Sequence, residues 1–276
     1  SLFFDIGMTG KAVRYGLNEY YFVFNNSSRY GLIVACCFLI LHFSNSSPKE
    51  MLAYKIMTVF DMLLTTKGVV YIILVVYIVL SFIWRRKKET KFTTGNTLIL
   101  SICIMIASTL QINTYLRDEE SPRMVLLRYG FKTANKYLPF GSGFATYGSD
   151  MAARYYSVLY KQYGFTKRYG LNQIYGAFLN DCYLGMVFGE FGYIGAIIFF
   201  IMVGFVFVPI NKITISKGIK ILSLSIFIAL IISAIGTAII KSSIGVFVMC
   251  VLGMVCGYDT AFKKAENSAK KSIEEA

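Results

Sequence analysis

One histidine, one tryptophan and four prolines are all that the 276 residues contain. With His42 alone and no Cys-x-x-C spacing, the usual histidine–cysteine zinc and redox-metal clusters are excluded. Charge is also scarce. Asp, Glu, Lys and Arg make up 16% of the chain, against about 25% in soluble domains. Acids are the scarcer sign, with 15 Asp and Glu facing 28 Lys and Arg, for a formal net charge of +13. The few prolines and long apolar runs exclude disordered and collagen-like chains. What abounds is apolar: 56% hydrophobic residues, a mean hydropathy of +0.58, 23 Phe and 20 Tyr. A soluble domain cannot hide that much apolar surface. The expected fold class is all-α, a polytopic helical membrane protein of about seven spans with one large extracytoplasmic loop.

The apolar runs divide the chain. Residues 1–29 read as an extracytoplasmic loop segment. Membrane helices are expected at 30–43, 51–66, 68–84 and 97–116. Residues 117–190 form the large extracytoplasmic loop, and three further helices occupy 191–258. Within these, 191–210 is one span, and the run 218–258 is too long for a single helix and divides near Gly236–Lys241. Residues 259–276 are a basic tail. The clusters Arg85-Arg86-Lys87-Lys88, Lys212 with Lys217, and Lys263-Lys264 with Lys270-Lys271 all become cytoplasmic on one alternating path. That path puts residues 1–29, Lys67, 117–190 and Lys241 outside. The first residue is Ser1, and the opening stretch resembles neither a signal peptide nor a cytosolic tail, so the chain reads as the C-terminal part of a longer protein. The basic clusters are short and beside membrane helices, which argues against nucleic acid. Cys36, Cys37, Cys103, Cys250 and Cys256 lie in apolar runs, so no disulfide framework is expected.

The outer loop carries the chemistry. On this topology seven of nine arginines face outside: Arg14, Arg29, Arg117, Arg123, Arg128, Arg154 and Arg168. Arg grips phosphate with two parallel hydrogen bonds where Lys offers a point charge, so an outer face rich in Arg points to a phosphate or diphosphate ligand, or to generic surface charge. Arg-Tyr-Gly recurs at Arg14, Arg29, Arg128 and Arg168. A guanidinium beside a phenol ring suits a phosphate and a sugar face, or else an interfacial aromatic belt. Leu138-Pro-Phe-Gly-Ser-Gly-Phe144 contains Gly141 and Gly143, a turn whose backbone N–H groups are expected to approach an anion. Stretches 123–137 and 151–163 read as amphipathic helices at the membrane surface. Asn180-Asp181 and Glu190 stand at the border of the span that follows. A carboxylate there can take a proton from a hydroxyl nucleophile, or Asp181 can cap a helix. Asp61, inside an apolar stretch, and Lys67 do not face each other, so any partner is expected on another helix.

The order of these features resembles the C-terminal half of the O-antigen and capsular polysaccharide polymerase family, within the O-antigen ligase superfamily. Asp181-Cys182, nine residues, then Gly192-Tyr-Ile-Gly195 matches the family's spacing at the end of its large periplasmic loop. Asp181 stands where the ligases have histidine; another register puts Asn180 there. Arg123 and Arg128 ahead of Leu138-Pro-Phe-Gly-Ser-Gly resemble the family's arginine and glycine turn. Phe24-Asn25-Asn26 and Leu64-Thr-Thr-Lys-Gly68 resemble two further segments. The resemblance implies a glycosyltransferase without metal or other cofactor, at the outer face of a bacterial inner membrane. It would join undecaprenyl-diphosphate-linked repeat units into O-antigen or capsular polysaccharide. Membrane lipids and a chain-length regulator protein are the expected partners, and the C-terminus would be cytoplasmic. Under this reading Asp181 is the catalytic base. Arg123 and Arg128, with Arg14 and Arg29 as a second set, bind the diphosphate. Gly141 and Gly143 shape the anion turn, and Tyr183 joins the sugar-binding tyrosines. A flippase for lipid-linked oligosaccharide or an O-antigen ligase are the alternatives. The first would call for charges lining the spans, whereas this sequence concentrates them in one outer loop, and for a repeat of spans, of which the sequence shows none.

Overall fold

The structure is a computed structural model that describes residues 7–14, 17–44, 47–85, 90, 101–102, 105 and 120–274. These residues are mostly helical, as expected, with one short β-hairpin added. The chain divides into two compact units. The first comprises 1–105, 207–229 and 243–276, and the second comprises 106–206 and 230–242.

The first unit opens on the hairpin, β1 (Thr9–Arg14) and β2 (Leu17–Tyr20), antiparallel with Arg14 opposite Leu17. The sequence reading had only a loop segment there. Helix α1 (Ser27–Leu41) starts where Asn26 accepts hydrogen bonds from the Ser28 and Arg29 N–H groups. Helix α2 (Pro48–Leu64) starts on a capping box, with Ser47 and Glu50 bonding each other's backbone N–H and Pro48 in the first turn. Helix α3 (Gly68–Ile83) follows at once. Ser27 and Lys67 both donate to the buried Glu19 carboxylate, at 2.9 and 2.8 Å. Lys67 therefore finds its partner on a strand rather than on the helix expected. Asp61 does find one on another helix, accepting from the Tyr30 hydroxyl of α1. The last helix, α9 (Ser243–Glu274), belongs to this unit. It continues through the expected tail, so residues 259–274 are helical. Asp259 accepts from the Thr214 and Ile215 N–H groups, both at 2.8 Å, and pairs with Lys263.

The second unit contains α4 (Pro122–Lys136), α5 (Asp150–Arg154), α6 (Val158–Gln162) and most of α7 (Tyr183–Asn211). Ser121 caps α4 and Pro122 opens it. The expected single helix over 151–163 is two short ones, because Tyr156 takes a positive φ of 46° between them. Their buried faces meet a core of Val125, Leu126, Tyr147, Tyr156, Leu159, Tyr160, Phe165, Leu171 and Leu179. The segment 122–182 thus has a hydrophobic core of its own. Its buried tyrosines are satisfied by backbone: Tyr147 donates to Leu126 at 2.6 Å and Tyr156 to Leu171 at 3.1 Å.

Helix α7 is broken at Gly192, whose φ of 63° and ψ of −159° lie outside the helical region. The rings of Tyr183 and Phe199 lie 5.5 Å apart. A straight helix would separate those positions by roughly 24 Å, so the chain turns sharply at the break. The expected boundary at 191 falls on this break. Beyond it, 193–211 rises roughly 28 Å, the thickness of a bilayer core. Its apolar side chains, among them Ile197, Phe200, Met202 and Phe205, are exposed.

Among the described residues, two helices are long and apolar enough to cross a membrane: Tyr183–Asn211 and the Ser243–Lys271 part of α9. The expectation of about seven spans is therefore met only in part among these residues. Helices α1 and α3 are apolar but only 15 and 16 residues long, a rise of roughly 22–24 Å against ~30 Å of hydrocarbon. Helices α2 and α8 (Lys217–Ser233) have 17 residues each. The expected helix 97–116 falls outside the described residues except for 101–102 and 105.

Candidate functional site

The second unit positions one charged cluster. Glycine sets its scaffold. A Cβ on Gly130 would lie 2.5 Å from the Gly185 carbonyl oxygen, so α4 and the start of α7 touch backbone to backbone. Arg123 precedes Gly130 by two helical turns and shares its face. Asp181 lies four residues before Gly185, just ahead of the start of α7. The close crossing therefore aims Arg123 at Asp181. Its Nε donates to Oδ2 at 2.9 Å and its Nη2 donates to the same oxygen. The guanidinium also lies over the Phe178 ring, 5.6 Å from the centroid. Both partners stay partly open, with side-chain exposures of 20% and 28%.

Next to this pair stands a second. Lys241, in the turn Ile239–Lys241 before α9, donates to Asp150 at 3.1 Å. The Asn180 amide donates to the same Asp150 oxygen. Consecutive residues Asn180 and Asp181 thus carry two ion pairs side by side. Their carboxyls are pushed in opposite directions. Burial raises the Asp181 pKa above the ordinary carboxylate value, and Arg123 and Lys241 only partly offset it. Burial acts on Asp150 too, but the Asn180 and Lys241 hydrogen bonds outweigh it and hold the carboxyl low. Titratable neighbours driven apart in this way suit different roles, one to exchange a proton and one to remain an anion. Burial pushes the Cys182 thiol up to about 11, so it is no nucleophile at neutral pH.

The helix-cap alternative for Asp181 finds no support in the hydrogen bonds. The Leu184 N–H, a donor that a cap at Asp181 would take, goes to the Ala234 carbonyl at 3.1 Å. The Asp181 carboxylate goes to Arg123 instead.

The glycine turn is corrected. Gly141 and Gly143 have φ of 77° and 91°, as a tight turn requires. Yet the Gly141, Ser142 and Gly143 N–H groups donate to the carbonyls of Tyr137, Gly189 and Glu190, each at 2.9 Å. Gly141 caps the C-terminus of α4, Ser142 and Gly143 cap the carbonyls where α7 breaks, and Ile194 N–H returns a bond to Pro139 at 3.4 Å. The turn is a latch on the helix break, and these three donors are taken rather than held out for an anion. Glu190, 3% exposed, completes the latch by accepting from Tyr147 N–H and the Ser149 hydroxyl.

The other expected residues are dispersed. Arg128 is exposed on α4, and five residues after Arg123 it points about 140° away around the helix, so the two do not form one cation pair. Arg14 lies on β1, where its side chain is outside the described residues. Arg29 is exposed in the first turn of α1, and both belong to the first unit. Arg117 is outside the described residues. Tyr183 is half-buried against Phe199, and the exposed tyrosines among residues 120–190 are Tyr137, Tyr155, Tyr169 and Tyr175. Arg168 reaches from one Arg-Tyr-Gly to the next: it pairs with Glu120 and lies 5.9 Å from the Tyr129 ring centroid. Sequence reasoning missed Asp150 as a partner and Lys241 as a site residue. The only signal for Lys241 was a cation interrupting the apolar run 218–258.

No protein-family model, curated protein or solved structure matches this chain.

Proposed function

We propose that the protein is a glycosyltransferase that polymerises lipid-linked glycan repeat units at the outer face of a bacterial inner membrane. The observation that carries this reading is the Arg123–Asp181 pair, a phosphate-binding cation bonded to a carboxyl of raised pKa. Under this reading the shorter apolar helices also cross the bilayer, locally thinned around them, the C-terminus is cytoplasmic, and the outer segment faces the glycan.

The reaction uses the pair in both forms. An incoming undecaprenyl diphosphate competes with Asp181 for the Arg123 guanidinium. Released from the cation, the half-buried carboxylate becomes a stronger base. Its Oδ1, the oxygen that Arg123 does not engage, takes the proton of the acceptor sugar hydroxyl as that oxygen attacks the anomeric carbon. The bond from the anomeric carbon to the diphosphate oxygen breaks with inversion. The electron pair leaves on the diphosphate, whose charge Arg123 stabilises. Asp150, held low by Asn180 and Lys241, stays ionised throughout.

Complementation tests the reading. In a host lacking the gene, Asp181→Ala and Asp181→Asn at normal protein levels are expected to leave single repeats on the surface and abolish the long-chain ladder. A normal ladder from both variants removes Asp181 as base.

A further inference from the structure

Two cations flank Asn180–Asp181, and only Arg123 has been given a ligand. Lys241 projects from a three-residue turn bounded by apolar sequence. Its side chain is 19% exposed, whereas that of its partner Asp150 is 68% exposed. A pair whose carboxylate is this exposed is weak, and its anion is readily exchanged for a ligand anion. A diphosphate carries charge on two phosphoryl groups and calls for two cations, and the nearby Arg128 points elsewhere.

We propose that Lys241 is the second cation of a diphosphate-binding site, taking one phosphoryl group while Arg123 takes the other. Asp150 and Asp181 are placeholder anions that hold the two cations in register until the ligand displaces them. The proposal rests on the glycosyl-diphosphate reading above. It names the ligand class as a diphosphate, with specificity against monophosphate set by Lys241.

The test measures binding to the whole protein in phosphatidylcholine nanodiscs, using farnesyl diphosphate, farnesyl monophosphate and inorganic diphosphate as probes. Wild type is expected to prefer the prenyl diphosphate over the monophosphate. Lys241→Met should weaken diphosphate binding about tenfold, the worth of one charge-assisted hydrogen bond, and leave the monophosphate affinity unchanged. Lys241→Arg should restore the preference. An undiminished preference in Lys241→Met overturns the proposal. Asp150→Asn removes the competing anion and keeps the lysine, so diphosphate should bind more tightly. Weakened binding there would mean that the Asp150–Lys241 pair only anchors the fold, which overturns the proposal too. Inorganic diphosphate is expected to compete, and failure to compete would put the affinity in the prenyl chain and overturn it. Arg123→Gln separates the two levels. If it lowers affinity for both prenyl probes while Lys241→Met changes nothing, only the Lys241 assignment falls. If neither variant alters any binding, the diphosphate reading itself falls.

Discussion

Gly130→Ala tests the link between helix packing and the site. The new methyl would lie 2.5 Å from the Gly185 oxygen and 2.9 Å from its Cα. Both are backbone atoms and cannot rotate aside. Relief to an ordinary contact of about 3.5 Å requires α4 to back away by about 1 Å. Overpacking of this kind costs about 3 kcal/mol at its upper end, and alanine returns about 1 kcal/mol of helix propensity. The net is a loss of about 2 kcal/mol. The same displacement stretches the 2.9 Å Arg123–Asp181 bond past hydrogen-bonding distance, so activity should fall with stability. The assay is an unfolding titration with SDS in mixed micelles, run beside Gly204→Ala. A Cβ at Gly204 meets nothing within 4 Å, so that variant should gain helix propensity alone. If Gly130→Ala unfolds no earlier than Gly204→Ala, α4 and α7 do not cross at these glycines and the aim of Arg123 is set otherwise.

Three further outcomes are expected. The raised pKa of Asp181 means that the folded chain holds this proton to higher pH than the unfolded chain. Its contribution to stability is full below the ordinary carboxylate range and is lost as pH rises through the raised value. Asp150 has the opposite sign: its contribution is present above the ordinary value and is lost as pH falls through the lowered one. Arg123→Gln removes the largest influence holding Asp181 down, so the acid limb of a pH–rate profile should move to higher pH, and an unmoved limb would detach Asp181 from the reaction. Glu190→Gln keeps an oxygen for Tyr147 N–H and the Ser149 hydroxyl and should melt like wild type, whereas Glu190→Ala should lose about 1–3 kcal/mol. Equal melting of all three would show that the latch does not depend on Glu190.

Local signals reached far into this chain. Ser121-Pro122 and Ser47-Pro48 with Glu50 announce where α4 and α2 begin, because caps and a first-turn proline act within a few residues. The change of environment at 191 is written in the apolar run, and Gly192 marks it. Arg123 and Asp181 stood out by residue type. Their pairing could not be read, because it depends on which faces of α4 and α7 meet, and the glycines that decide this lie 55 positions apart in numbering (185 − 130). The donors of the Gly141–Gly143 turn looked free for the same reason. Two of their acceptors, the Gly189 and Glu190 carbonyls, are opened by a helix break that sequence does not display. The hairpin at 9–20 carries no turn signature that separates it from a loop.

The Asp150–Lys241 bond joins residues 91 apart, and this has a consequence for biosynthesis. At about 5–20 residues per second, a ribosome adds Lys241 roughly 5–18 s after Asp150. The Ala234 and Ile235 carbonyls, which take the Leu184 N–H and the Cys182 thiol, emerge only shortly before it. The segment 122–182 can collapse on its tyrosine core during that interval, but its charged edge stays open until the turn at 239–241 has been made. A nascent chain halted after α7 would therefore present that core folded but without the contacts that 234–241 supply. Synthesis of the turn at 239–241 is in effect the step that completes the site.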